Sequence, residues 1–267
     1  MASEPIVRAF HAARPGATAI ALARTGSYER LWAQVEAGIA ARGDRVRRSS
    51  VLDHARPPSD HARPPSILDL ACGDHAMPGA IGCDLSREEL ARGQGPRVQG
   101  SAQALPFKDG AFDAALCHLA FMLFDDIEAV VAELERVLAP GASFHALLGG
   151  GPVADGPGYS DAFHAFTQLL PKAAPLGDPR SKSPAGWRTL FARERGWSEP
   201  VFERGCSEPS FERWELDLTG PFDDVWLFLG GSYQLREPER IRAELRARFP
   251  TDPVPCKVAA YYARVTR

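Results

Sequence analysis

The chain has 267 residues, 45% hydrophobic and 24% charged, enough for one large α/β domain or a domain with a small lid. A net charge of −3 with scattered arginines excludes the clustered basic face that nucleic acid requires; Arg45, Arg47 and Arg48 read as a solvated helix end. The five cysteines lack zinc-knuckle spacing, MASEPIVRAF has no basic segment followed by an apolar one and so is not expected to be a signal peptide, and the longest apolar stretch, Ala114–Phe124, is too short for a bilayer. The expectation is a soluble, cytoplasmic chain with no metal site and no nucleic-acid or membrane partner, monomeric or homodimeric.

Residues 1–48 read as a helical cap. Ile6, Val7, Phe10 and His11 share one face, and Tyr28, Leu31, Trp32, Val35 and Ile39 recur at helical spacing up to Gly43, read as a C-cap. Residues 49–66 hold DHARPPS twice, Asp53–Ser59 and Asp60–Ser66, and four prolines there predict a surface loop. Residues 67–148 then alternate short apolar runs with helices. Ile67–Ala71, Ala80–Asp84, Arg97–Gly100, Phe112–Cys117 and Ala142–Leu148 read as buried strands. Ile127–Leu138 reads as an amphipathic helix stopped by Ala139-Pro140-Gly141.

Residues 149–198 read as a helical lid hinged at Gly149-Gly150-Gly151-Pro152, carrying Phe163, Phe166, Leu169, Leu170, Trp187, Leu190 and Phe191. Residues 199–267 complete the sheet: strand Glu215–Leu218, helices Phe222–Leu229 and Pro238–Phe249, and strand Cys256–Val265. An imperfect repeat, SEPVFER then SEPSFER from Ser198 to Arg213, suggests a strand or hairpin. Strands alternating with helices imply a mostly parallel sheet with helices on both faces, with ligands beyond the carboxyl ends of the strands.

Those ends hold the candidate chemistry. The first strand runs into Asp69-Leu70-Ala71-Cys72-Gly73-Asp74, where the glycine permits close backbone approach. The second ends at Asp84-Leu85-Ser86, with Asp84 placed for ribose hydroxyls or, alternatively, as a helix N-cap, a task that suits Ser86 better. The third leads to Ser101-Ala102-Gln103. A dinucleotide pyrophosphate is disfavoured, because Asp74 and His75 follow Gly73 where further glycines are needed. From Gly73 to Asp84 is only 84 − 73 = 11 positions, so 74–79 cannot hold a crossover helix.

The run ILDLACGD … GCDLS … GSAQALPFKDGAFDAAL … ELERVLAPGASF resembles the class I S-adenosylmethionine-dependent methyltransferases of the methyltransferase-11 type over Ile67–Leu148. The resemblance implies a Rossmann-like seven-stranded sheet with an antiparallel edge strand. It implies S-adenosylmethionine, with S-adenosylhomocysteine as product. Asp69, Ala71, Cys72 and Gly73 would line the methionine end, Asp84 the ribose and Leu85 the adenine. Ser101, Ala102 and Gln103 would read the adenine edge. Cys117 and Leu119 would lie under the sulfonium, and Tyr28 would close over it.

The implied reaction is methyl transfer to a small hydrophobic or aromatic metabolite of the natural-product type. The alternative is a cofactor-binding protein that has lost or repurposed transfer, as a cyclase would. A hydroxyl acceptor needs a base, and His118, after the fourth strand, is the catalytic candidate. His11, Phe121, Phe163 and His164 are the candidates for acceptor contact. His145 reads as structural, and His54 and His61 as loop residues.

Overall fold

The computed structural model describes residues 3–52, 64–153, 160–171, 176–192, 196–198, 211–233 and 235–267. Most of the duplicated loop with His54 and His61, residues 199–210 of the second repeat with Cys206, and the side chains of Arg45, Arg47 and Arg48 lie outside the described residues.

Three helices open the chain: α1 (Glu4–Ala13), α2 (Ala17–Leu22) and α3 (Ser27–Leu52). The expected stop at Gly43 is corrected. A glycine ends a helix by entering the left-handed region, and Gly43 keeps a helical backbone inside α3. The strands are β1 (Ile67–Leu70), β2 (Ala80–Asp84), β3 (Arg97–Gln99), β4 (Phe112–His118), β5 (Leu138–Pro152), β6 (Glu212–Asp217) and β7 (Lys257–Thr266). They form one seven-stranded sheet in the order β3-β2-β1-β4-β5-β7-β6. β1 to β5 are parallel, and β7 runs antiparallel to both β5 and β6 at that end of the sheet. This is the Rossmann-like fold, with its switch of strand order between β1 and β4.

Strand residues alternate between two cores, as the pleat requires. Ala114 and Leu116 enter one core with Leu31 and Val35 of α3. Ala115 and Cys117 enter the other with Val130, Val131 and Leu134 of α5 (Ile127–Val137). Helices α6 (Ala162–Leu169), α8 (Phe222–Leu229) and α9 (Pro238–Arg248) lie on the first face. Gly38 lets α3 approach β5, since a Cβ there would stand 3.0 Å from His145 Nε2. His145 is structural as expected: Nδ1 meets Tyr262 Oη at 2.9 Å and Nε2 meets Ser143 Oγ at 2.8 Å.

One expectation about the lid is corrected. Gly149–Pro152 is no hinge but the end of β5, with Gly149 opposite Ala260 and Pro152 opposite Val258. A Cβ on Gly150 would stand 2.5 Å from the Ala259 carbonyl oxygen, so glycine serves close strand packing. The lid aromatics also divide between faces. Phe166 packs on the first face, whereas Trp187 and Leu190 of α7 (Pro184–Leu190), with Phe191, are buried on the second against Phe121 and Phe144. Among the described residues no helix is long and apolar enough to cross a membrane.

Candidate functional site

The short connection between β1 and β2 is held by two carboxylates. A parallel crossover usually needs a dozen residues or more. Here Asp69, 2% exposed, accepts the Met77 N–H at 2.9 Å and fixes the far end of the loop. Asp84 accepts the Gly73 N–H and the Ser86 N–H, each at 2.8 Å, and fixes the near end. Burial pushes the Asp69 carboxyl up to about 7, partly opposed by the Met77 hydrogen bond. Burial also raises Asp84. Ser86 caps α4 (Arg87–Arg92), accepting from the Glu89 N–H, so Asp84 is free of the capping role.

The backbone is strained where β1 and β4 end. Ala71 (φ 56°) and Leu119 (φ 55°) occupy the left-handed region without being glycine. Each such residue costs ~1–3 kcal/mol, and strain of this kind gathers at ligand sites. Both residues line a cavity of about 130 Å³ at the switch point. The strand-end walls are Leu70–Asp74, Cys83–Leu85, Gly100–Gln103 and His118–Ala120. The cover comes from the N-terminal helices, with Glu4, Val7, His11, Gly16, Thr18, Ala19 and Tyr28. Asp125 pins this cover by accepting the Ser3 and Glu4 N–H groups. Glu89 pins it by accepting the Gly16 N–H at 2.9 Å. Gly16 is required there: its φ is 80°, and a Cβ would stand 2.6 Å from the Asp74 carboxylate.

His118 Nε2 meets Ser27 Oγ at 2.9 Å, and its ring stacks on Tyr28 at 3.8 Å and 16°. Burial, with His75 nearby, lowers its pKa to about 3, so the imidazole stays neutral and is a poor base at neutral pH. Its buried Nδ1 has no hydrogen-bond partner among the described residues. A polar ligand group in the cavity would satisfy it.

A second cavity of about 420 Å³ adjoins the first, and Thr18, Leu119, Leu123 and Tyr233 line both. Its remaining walls are almost wholly apolar, among them Ala21, Leu22, Met122, Phe163, Leu170, Leu216, Phe228 and Val258. Among the described residues no lysine or arginine lines either cavity.

The fold thus brings Tyr28, Ala71, Cys72, Gly73, Asp84, Leu85, Ser101, Ala102, Gln103, His118, Leu119 and His11 around the first cavity, and Phe163 to the second. Four expected contacts are corrected. Asp69 and Cys117 are buried behind the wall, because side chains of successive strand residues face opposite ways. Phe121 is fully buried among Phe144, Trp187 and Phe191. His164 Nδ1 pairs with Asp161 at 3.0 Å, at the start of α6, and lines neither cavity. Sequence reasoning missed Glu89, Gly16, Asp125 and Tyr233, which belong to no motif and meet only through the fold. Among the described residues no three His, Cys, Asp or Glu side chains are grouped to hold a metal ion.

Residues 68–146 match a family model described as a methyltransferase domain. A demethylmenaquinone methyltransferase of Thermus thermophilus is 44% identical over 94 residues, covering 28% of this chain and 43% of that protein. Its counterpart in Corynebacterium efficiens is 30% identical over 168 residues, covering 58% of this chain and 69% of that protein. The chain therefore spans less than half the length of the first relative and about two thirds of the second. The crystal structure of the YcgJ protein from Bacillus subtilis aligns at 18% identity and a TM-score of 0.49, over 78% of this chain and 94% of that one. The chain belongs to the S-adenosylmethionine-dependent methyltransferases of the methyltransferase-11 type.

Proposed function

We propose that this chain transfers a methyl group from S-adenosylmethionine, held in the first cavity, to an uncharged apolar small molecule in the second. The observation that carries this reading is the junction of a polar, acid-lined cavity with a larger apolar one at Leu119, Thr18 and Tyr233. The residues fit the cofactor. Asp84 retains acceptor capacity for ribose hydroxyls beside its two backbone bonds. Leu85 and Ala102 offer apolar surface to the adenine, with Ser101 and Gln103 at its edge. Tyr28, Ala71, Gly73 and the orphaned Nδ1 of His118 would receive the methionine end. The acids Asp74, Asp84 and Glu89 favour a cation over a phosphate.

When bound, the cofactor supplies an electrophilic methyl group on a cationic sulfur, and its thioether leaves without an acid. The chain's task is alignment, which can contribute ~7–11 kcal/mol. The strained ends of β1 and β4 fix the wall, and α1 and α2, held by Asp125 and Glu89, keep water out. The apolar walls select a hydrophobic acceptor. Demethylmenaquinone, named in the relatives above, is the first compound to try, in its reduced form.

Incubation with S-adenosylmethionine and a panel of quinols and naphthols, with S-adenosylhomocysteine quantified by mass spectrometry, tests the reading. Acceptor-dependent product formation supports it. Cofactor binding without turnover on any apolar acceptor would favour the noncatalytic alternative.

A further inference from the structure

A polar chain of Glu89, His11 and Tyr233 runs along the first cavity to its junction with the second. Glu89 is 2% exposed, and its two carboxylate oxygens have separate partners. One accepts the Gly16 N–H, and the other lies 2.5 Å from His11 Nδ1. A carboxylate only accepts, so the imidazole proton sits on Nδ1, and Nε2 presents its lone pair. That Nε2 is 3.3 Å from Tyr233 Oη. Tyr233, held edge-on by Phe10 at 4.7 Å, lines both cavities. The order carboxylate, imidazole, hydroxyl, reacting centre is that of an oriented base.

We propose that Glu89, His11 and Tyr233 form a proton relay that removes the hydroxyl proton of an aromatic-hydroxyl acceptor as it is methylated. This rests on the methyl-transfer reading above. The acceptor enters as a neutral hydroxyl compound, because the described walls of the apolar cavity carry no cation to hold its anion. Its O–H bond breaks and the proton passes to Tyr233 Oη, whose own proton passes to His11 Nε2. The acceptor oxygen's electron pair forms the new O–C bond as the S–C bond of S-adenosylmethionine breaks, leaving that pair on sulfur. The imidazolium is paired with Glu89, and His11, 18% exposed, returns the proton to solvent. Glu89 is a positioning residue.

An aromatic hydroxyl is the matched donor, being a phenol like Tyr233 and much more acidic than an aliphatic alcohol. Besides the relay itself, the ionisable groups lining the first cavity among the described residues are Glu4, Tyr28, Cys72, Asp74, Cys83, Asp84, His118 and Asp125. Burial, Asp84 and Glu89 raise the Tyr233 pKa, so its hydroxyl remains protonated and serves as a conduit.

The test uses the full chain with S-adenosylmethionine and α-naphthol, comparing wild type with Tyr233→Phe, His11→Gln and Glu89→Gln. The relay predicts that Tyr233→Phe and His11→Gln lower kcat on α-naphthol ~10²-fold, with KM and S-adenosylhomocysteine affinity unchanged. Glu89→Gln lowers kcat on α-naphthol by a smaller factor, with KM unchanged. Without turnover, NMR titration of the His11 ring protons shows a change on adding α-naphthol that Tyr233→Phe abolishes. Unchanged kcat in both variants, or loss of kcat together with cofactor affinity, would overturn the relay. A wild type that binds S-adenosylhomocysteine but leaves α-naphthol unmethylated overturns it too, leaving the methyl-transfer reading intact. A wild type that binds no S-adenosylhomocysteine overturns both.

Discussion

Asp69→Asn isolates the energetics of the shortened loop. The asparagine carbonyl can still accept the Met77 N–H, but the group no longer ionises. In the wild type, burial pushes the Asp69 carboxyl from 3.8 up to about 7. Holding it ionised in the fold therefore costs ~4 kcal/mol relative to the unfolded chain. The sign follows from proton binding: the folded form holds this proton more tightly than the unfolded one. The contribution of Asp69 is therefore most favourable below about pH 4, declines as pH rises toward about pH 7, and is level above that. An unsatisfied amide N–H in the variant costs ~1–3 kcal/mol at every pH. Asp69→Asn should therefore be less stable than wild type near pH 4 and gain on it by up to ~4 kcal/mol by about pH 8. Urea denaturation of both proteins at the two pH values measures this, and differencing removes carboxylates common to both. A stability difference that does not change with pH would refute the reasoning.

Phe121→Ala should cost ~3–5 kcal/mol in urea denaturation, because the ring is fully buried among Phe144, Trp187 and Phe191. A surface-like loss below ~1 kcal/mol would contradict that packing. Gly150→Ala should lower stability by ~1–3 kcal/mol, since its Cβ would meet the Ala259 carbonyl oxygen at 2.5 Å; an unchanged melting temperature would argue for a looser β5–β7 ladder. Ala21→Phe, which fills part of the 420 Å³ cavity, should raise the acceptor KM at least ~tenfold, or ~1.4 kcal/mol, and leave S-adenosylhomocysteine affinity as it was. Equal loss of both affinities would mean that the two cavities do not divide the ligands as proposed.

Much of the sheet was legible because its cues are local. Buried runs such as Ile67–Leu70 and Ala80–Asp84 have no reading on an exposed surface, and the missing crossover helix followed from counting residues between Gly73 and Asp84. Long-range packing was not legible. Gly43 and Gly149–Gly151 carry the residue type of a stop or hinge, yet Gly43 lies within a helix and the others within a strand, where Gly150 stays small because a Cβ would meet the Ala259 carbonyl oxygen. Trp187 and Phe163 share a lid-like segment, but the face each covers depends on which side of the sheet its helix reaches. The relay was least visible: His11 and Glu89 stand 78 positions apart, and His11 and Tyr233 stand 222 apart.

The central claim, a cofactor cavity with Asp84 at its ribose end, is tested most directly by calorimetric titration of wild type and Asp84→Asn with S-adenosylhomocysteine. One site of micromolar affinity is expected, weakened by ~1.5–3 kcal/mol in the variant as a hydrogen bond to a charged group is lost. No heat of binding at millimolar ligand, or equal affinity in the two proteins, would contradict it.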